Sequence, residues 1–354
     1  MKAAELGIGE LEGFFKELLT KNVVDCLLLP FRVGKTVTYM LVSEPEKMGS
    51  PVIFVPVFGI SAANIVKGWT IERKIGVVAK PCEIRAAIEL IKLEQISPES
   101  VLLFSVDCAG AYNLKDFAEH ADEIGDALDE GKVAALEKKG VSLRTACQIC
   151  DKRLAEYGDV GIVRVNAEKV MLVALTPKGE EALSAVELTL EEKDVSREDL
   201  KRKIKEEAEK RKAEIPRISS AEELDDVLAS CILCKNCRDM CPVCYCKVCF
   251  FEQPLGNLAG GDMLNLATLR GVLRVPSPVQ MFYHLTRLYH VCTTCVACGA
   301  CEDACPSEIP LTKIYPMVAE KVQEMFAYEP GKSVEEPLPL TTYKEEEYEE
   351  YLRP

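Results

Sequence analysis

Two copies of Cys-x-x-Cys-x-x-Cys-x-x-x-Cys-Pro stand in the C-terminal half of this chain. The first is Cys231, Cys234, Cys237, Cys241 and Pro242; the second is Cys295, Cys298, Cys301, Cys305 and Pro306. Three thiolates at that spacing wrap one corner of a four-iron cubane from a single short loop, and the fourth is carried away to the partner cluster. Crossing over assigns one 4Fe–4S cluster to Cys231, Cys234, Cys237 and Cys305, and another to Cys295, Cys298, Cys301 and Cys241. A chain built this way must bring its two motifs side by side, and it moves single electrons.

Seventeen cysteines in a secreted chain would spell disulfides, but residues 1–10 hold no basic cluster followed by an apolar stretch. The thiols are therefore expected to be reduced, metal-holding and cytoplasmic. Exposed clusters of this type are oxygen-sensitive, which suits an anaerobic host. No apolar run reaches the length of a membrane span. A net charge of −14 argues against nucleic acid as a partner. His120, His284 and His290 are not spaced as a ligand set and read as packing or surface residues. No Gly-x-Ser-x-Gly, Walker loop or His-Glu-x-x-His is present, so hydrolysis and phosphoryl transfer lack support.

A chain of 354 residues accommodates two or three domains. Residues 1–185 read as α/β. Strand-like runs are expected at 23–29, 36–42, 52–57, 75–79, 101–106, 160–165 and 170–175, with helices over 10–20, 62–67, 83–93 and 114–128. No Gly-x-Gly-x-x-Gly follows a strand, so an ordinary dinucleotide site is not supported. Residues 186–229 are a charged helical connector, and Ser219–Ser220 ahead of Glu222–Glu223 predicts an N-cap. Residues 230–327 form the cluster domain. Its insertion over 250–291 is too long for the short hairpins of a compact ferredoxin, and predicts helices over 263–273 and 278–290. The second would be amphipathic, with Met281, Leu285 and Leu288 on one side. The whole pattern predicts an α/β domain followed by an α-helical two-cluster ferredoxin domain. Residues 328–354 are a tail whose Tyr343, Tyr348 and Tyr351 stand among glutamates: a solvated end, or an arm that docks on another subunit.

A second group of cysteines lies in the α/β part. Cys82 and Cys108 each follow a strand, and Cys147 and Cys150 form a Cys-x-x-Cys. These four suit a third site assembled from separate loops, either a cluster or four-thiolate zinc. Cys244, Cys246 and Cys249 crowd behind the first motif and Cys292 precedes the second. They are candidates for a fourth site, or for buried thiols that tune the existing ones. Cys26, in an apolar strand, reads as core.

Taken in order, Lys80-Pro81-Cys82-Glu83-Ile84-Arg85-Ala86, Asp107-Cys108, Cys147-Gln148-Ile149-Cys150, Cys237-Arg238-Asp239-Met240-Cys241-Pro242-Val243-Cys244-Tyr245-Cys246 and Cys301-Glu302-Asp303-Ala304-Cys305-Pro306-Ser307-Glu308-Ile309-Pro310 form a familiar series. It resembles the beta subunits of coenzyme F420-dependent formate dehydrogenases and hydrogenases, from about residue 11 to the tail. The resemblance implies a flavin-domain-like α/β fold, a C-terminal domain with two 4Fe–4S clusters, and a third cluster at Cys82, Cys108, Cys147 and Cys150. Lys80 and Arg85 would then balance an anionic cluster or orient a flavin phosphate. Two functions follow. One is an iron–sulfur relay between a catalytic dehydrogenase or hydrogenase subunit and a heterodisulfide-reductase-like acceptor. The other is an FAD-containing subunit that exchanges hydride with coenzyme F420 or another hydride carrier. The chain departs from the family at its flavin-side segments. The opening of the first helix reads Gly7-Ile8-Gly9-Glu10-Leu11-Glu12-Gly13, with two carboxylates where a cofactor would approach, and residues 156–161 are shortened. The departure favours the relay.

Overall fold

Residues 75–79 and 101–106 are buried and apolar on both faces, as strands covered from two sides must be. In the computed structural model, which describes residues 1–68, 72–128, 130–253, 260–271 and 277–342, they lie at the middle of an eight-stranded sheet. Its strands are β1 (Lys2–Gly7), β2 (Cys26–Val33), β3 (Thr36–Val42), β4 (Ile75–Ala79), β5 (Val101–Val106), β6 (Val160–Arg164), β7 (Lys169–Ala174) and β8 (Glu191–Glu192). Their order is β3-β2-β4-β5-β6-β7-β1-β8. The run β2, β4, β5, β6 is parallel, and the remaining pairings are antiparallel.

Most expected strands are found within a few residues of their bounds, but residues 52–57 form a loop. Pro51 and Pro56 remove N–H groups that a ladder needs, and only Val57 makes a bridge, to Tyr112. Strand β1 goes unannounced in the sequence because its inward residues are Ala3 and Ala4, which carry little strand signal. The helix expected over 114–128 is broken into Leu114–Glu119 and Ala121–Ile124, the latter ended by Gly125 at φ +70°.

Beyond β8 the described chain is helical. The charged connector holds the helix Glu198–Glu214, whose one buried residue is Ala208. Ser220 caps the helix Ala221–Leu228 by accepting the Glu223 N–H at 3.2 Å, as expected. The insertion contributes helices Gly260–Arg270 and Ser277–Val291. In the second, the predicted face is only partly inward: Leu288 is buried as expected, and polar residues share the buried side. Tyr283, His284, Arg287, Leu288 and Val291 are buried, whereas Leu285 is exposed. Its polar side chains turn inward because what they face is a set of thiols rather than hydrocarbon. The docking arm proposed at Tyr343, Tyr348 and Tyr351 lies outside the described residues. Among the described residues no helix is long and apolar enough to cross a membrane.

The helix Pro81–Lys92 joins the two halves. Pro81 presets its first turn, and the Glu83 carboxylate accepts the Lys80 N–H at 3.2 Å, which fixes the strand-to-helix junction that carries Cys82. The same carboxylate takes the Ala62 N–H at 2.8 Å and the Tyr39 hydroxyl at 2.9 Å. One face packs Ile84 and Ile88 into a core shared with Cys237, Leu288 and Leu311. Further along, Glu89 is fully buried and accepts the Tyr328 hydroxyl at 2.7 Å, the Gly331 N–H at 2.7 Å and the Lys92 ammonium at 3.1 Å. Gly331 sits at φ +74°, where a Cβ would fall 2.4 Å from the Arg85 Cα, so only glycine passes this close.

Glu89→Ala leaves a buried ammonium and a buried hydroxyl without their acceptor. It is expected to cost about 3–5 kcal/mol in urea unfolding, and Tyr328→Phe about 1.5–3 kcal/mol. A Glu89→Ala midpoint equal to wild type would show that the tail contact holds nothing.

Candidate metal centres

The two cysteine loops fold alike. Leu233 and Lys235 in the first, and Ala297 and Gly299 in the second, all have positive φ (54°, 67°, 56° and 72°) at matching positions. A non-glycine residue in that region costs roughly 1–2 kcal/mol, and its repetition in both loops marks a functional constraint. The left-handed turns aim N–H groups inward, so that Leu233 donates to the Cys231 sulfur at 3.4 Å. Short helices, Asn236–Asp239 and Ala300–Asp303, then lead each chain to its fourth cysteine.

The thiols are brought together in the expected crossed sets. Cys231, Cys234, Cys237 and Cys305 line one cavity of about 300 Å³, mouth included. Cys295, Cys298 and Cys301 line a second with Cys241, of about 410 Å³. Cys82, Cys108, Cys147 and Cys150 line a third, also about 410 Å³, and Cys298 forms part of its wall. Among the described residues no three His, Cys, Asp or Glu side chains converge as they would around a single ion. The thiols stand around open centres instead.

The third set is built at the carboxyl ends of neighbouring parallel strands, where open α/β sheets place their sites. Cys82 follows β4 as the second residue of its helix, and Cys108 follows β5. Cys147 lies on the short helix Thr145–Gln148 with Cys150 just beyond it. The Arg153 guanidinium ties both down, donating to Cys147 O at 2.9 Å and Cys150 O at 3.0 Å. Arg144 joins this set to the second motif. It donates to Cys298 O at 2.7 Å, pairs with Asp303, approaches the Cys147 sulfur at 3.6 Å and stacks over Phe58 at 4.1 Å.

Burial governs the thiols. It pushes Cys108, Cys295, Cys298 and Cys301 up to about 12, and Cys82 well above the usual thiol value. Such groups keep their protons until a metal replaces them. The insertion helix Ser277–Val291 supplies polar neighbours that sequence reasoning did not single out. His284 Nε2 lies 3.4 Å from the Cys231 sulfur and the Tyr283 hydroxyl 3.5 Å from that of Cys237. Burial, reinforced by the Arg287 charge, lowers His284 to about 4, so its ring is neutral. Arg287 lines the second cavity. The available signal was their spacing, since 283, 284, 287, 288 and 291 share one helical face.

The other candidates fall in different places. Cys244 stands beside Cys241 and is pushed up to about 11 by burial, Cys249 neighbours Arg238, and Cys246 is exposed. Cys292 donates to Tyr289 O at 3.6 Å. Cys26 is buried in the core, as expected. Lys80 lines the third cavity. Arg85 is a strut whose guanidinium donates to Pro330 O at 2.9 Å and stacks over Tyr157 at 5.4 Å.

The thiol sets suit cubanes, but a flavin dinucleotide also needs N–H groups or cations for its diphosphate. The turn before the first helix, Leu11–Thr20, is closed by its own carboxylate, because Glu10 accepts the Gly7 N–H at 2.6 Å. Glu12 is held beside it by Lys16 and Ser50, each at 2.7 Å. Among the described residues, the pocket next to the third set, about 830 Å³ with its mouth, has Lys80 as its one lining cation. Glu83, in the same wall, already caps the adjoining helix. These carboxylates leave the turn and the adjoining wall poorly suited to a flavin diphosphate.

No protein-family model matches the chain. It is 27% identical over 373 residues to the F420-dependent formate dehydrogenase subunit beta of Methanocaldococcus jannaschii, an alignment covering 94% of this chain and 93% of that protein. It is 28% identical over 378 residues to the F420-dependent formate dehydrogenase 1 subunit beta of Methanococcus maripaludis, covering 94% and 92%. A chain of the F420-reducing NiFe hydrogenase complex from Methanosarcina barkeri overlays with a TM-score of 0.46 at 13% identity, over 60% of this chain and 90% of that one, too distant a match to argue from. The chain is, over nearly its whole length, a homologue of the beta subunits of F420-dependent formate dehydrogenases.

Proposed function

We propose that the chain is an electron-transfer subunit of a multi-subunit oxidoreductase, carrying three 4Fe–4S groups and no flavin. The observation behind this reading is that each crossed quartet lines its own cavity while Cys298 lines two of them, which puts the second set between the first and the third. Bound there, each group would take up and release one electron at a time. Open centres ringed by thiols favour a cubane over a lone zinc, whose bonds to sulfur are only about 2.3 Å long.

The side chains do the rest of the work. Cys241 and Cys305 cross between the motifs and hold the first and second sets together, and Arg144 holds the second to the third. None of the described thiols of the second and third sets is exposed. Cys234, by contrast, is exposed, with exposed Ile232 next to it, and gives the first set an outlet to a partner. The partners we assign are a catalytic dehydrogenase or hydrogenase subunit at one end and a heterodisulfide-reductase-like subunit at the other, in the cytoplasm of an anaerobe. In this reading residues 1–185 carry the third set, 186–229 connect, 230–327 carry the ferredoxin-type pair, and 328–354 are the tail.

Protein purified anaerobically is expected to hold about twelve irons with matching sulfide, and no flavin even after flavin is added back. One tightly held flavin per chain would overturn the flavin-free reading and favour hydride exchange. Replacing Cys82 and Cys150 together by Ser should remove about four of those irons and spare the rest; unchanged iron would end the case for a third cluster. Gly299→Ala tests how closely the sets must approach. Its Cβ would fall 2.4 Å from the Ala146 Cβ and 3.0 Å from Arg144 Nη2, at φ +72°. We expect a loss of about 2–4 kcal/mol, read as a lowered thermal midpoint, whereas Lys235→Ala at the matching position of the first loop loses its hydrogen bond to Phe251 O and should cost about 0.5–1.5 kcal/mol.

A further inference from the structure

Arg287 is almost fully buried, yet its Nε and Nη1 have no hydrogen-bond partner. Its guanidinium lies over the Tyr315 ring at 4.5 Å, and among the described residues no carboxylate pairs with it. A charge left so in a protein interior is strongly destabilising, so something must compensate it. The groups around it identify what. It lines the cavity rimmed by Cys241, Cys295, Cys298 and Cys301, and the charges it feels are those of Tyr315, Cys241, Cys301 and Cys237. Three of these are thiols, drawn from both motifs. The Thr312 hydroxyl lines the same cavity and is a second buried polar group without a partner. Two orphaned donors in one thiol-rimmed cavity call for an anion with several acceptor sulfurs.

We propose that Arg287 is the counter-charge of the second iron–sulfur centre and raises its reduction potential above that of the first. This rests on the cluster reading above. A fixed positive charge favours whichever redox state of a neighbouring centre is more negative, and an unpaired N–H aimed at sulfur acts in the same direction. The first centre is served differently. Its neighbours on the same helix are the His284 ring, 3.4 Å from the Cys231 sulfur, and the Tyr283 hydroxyl, 3.5 Å from that of Cys237, and Arg287 does not line its cavity. One helix of the insertion therefore gives the two centres unlike surroundings. The middle site of the relay becomes the place where an electron rests. Arg287 acts through the cluster potential and needs no contact with any partner protein.

The test is an EPR-monitored potentiometric titration of anaerobically purified full-length protein, with iron counted on the same samples. Arg287→Gln is expected to keep its iron and to shift one reduction step at least tenfold in equilibrium constant, about 59 mV more negative for one electron. Arg287→Lys, which keeps the charge, should move that step far less. An iron-replete Arg287→Gln protein with wild-type midpoints would overturn the proposal. If Arg287→Gln loses iron, Arg287→Lys decides alone: a near wild-type midpoint supports the charge, and a tenfold displacement in an iron-replete sample overturns it. Wild-type protein without iron would instead defeat the cluster reading itself, and that count is made first.

Discussion

Arg144 is the side chain on which the arrangement of this molecule most depends. Its guanidinium reaches Cys147 of the α/β half and the Cys298 carbonyl of the second motif, and pairs with Asp303 on the helix that follows. It is buried, stacked on Phe58, and wholly committed. A buried guanidinium with its hydrogen bonds satisfied is rigid in a way that apolar packing is not, because any displacement strands a charge. Gly299 completes the joint from the other side, since no side chain would fit between the second loop and Ala146. Through this contact the third thiol set adjoins the second rather than standing in a separate domain.

The same logic recurs along the helix Pro81–Lys92. Its start presents Cys82, its middle spends Arg85 on Pro330, and its end holds the returning chain through Glu89. Charged groups that would normally sit on a surface are used as internal fastenings, each matched to a specific backbone or hydroxyl partner. Arg287 is the exception. It is buried like the others but two of its three nitrogens lack partners, and that difference separates a fastening from a group awaiting a ligand.

The cysteines made much of the site legible in advance. Spacing suggested crossed sets, because a short Cys-x-x-Cys-x-x-Cys loop has few ways to wind and the fourth thiol must go elsewhere, and the thiols so grouped line shared cavities. The central strands were equally legible, being apolar on both faces. Strand β1 was not, since Ala3 and Ala4 give no pattern, and residues 52–57 misled because Pro51 and Pro56 outweigh five apolar side chains. The insertion helix was placed correctly, with Leu288 inward as expected and Leu285 exposed. Its inward face carries Tyr283, His284 and Arg287, and a hydropathy reading assigns such residues to water.

What the sequence determined by itself was therefore local: the cysteine loops, the strand-to-helix turn at Lys80–Pro81, the cap at Ser220, and the apolar central strands. Each rests on residues a few positions apart. The tertiary structure alone decided that Cys298 borders two cavities, that Arg144 spans the halves, that Arg85 serves the tail, and that Arg287 faces thiols rather than solvent. Those outcomes depend on which buried charges find partners across long stretches of chain. That is settled only when the whole interior closes and every polar group must be satisfied or left waiting.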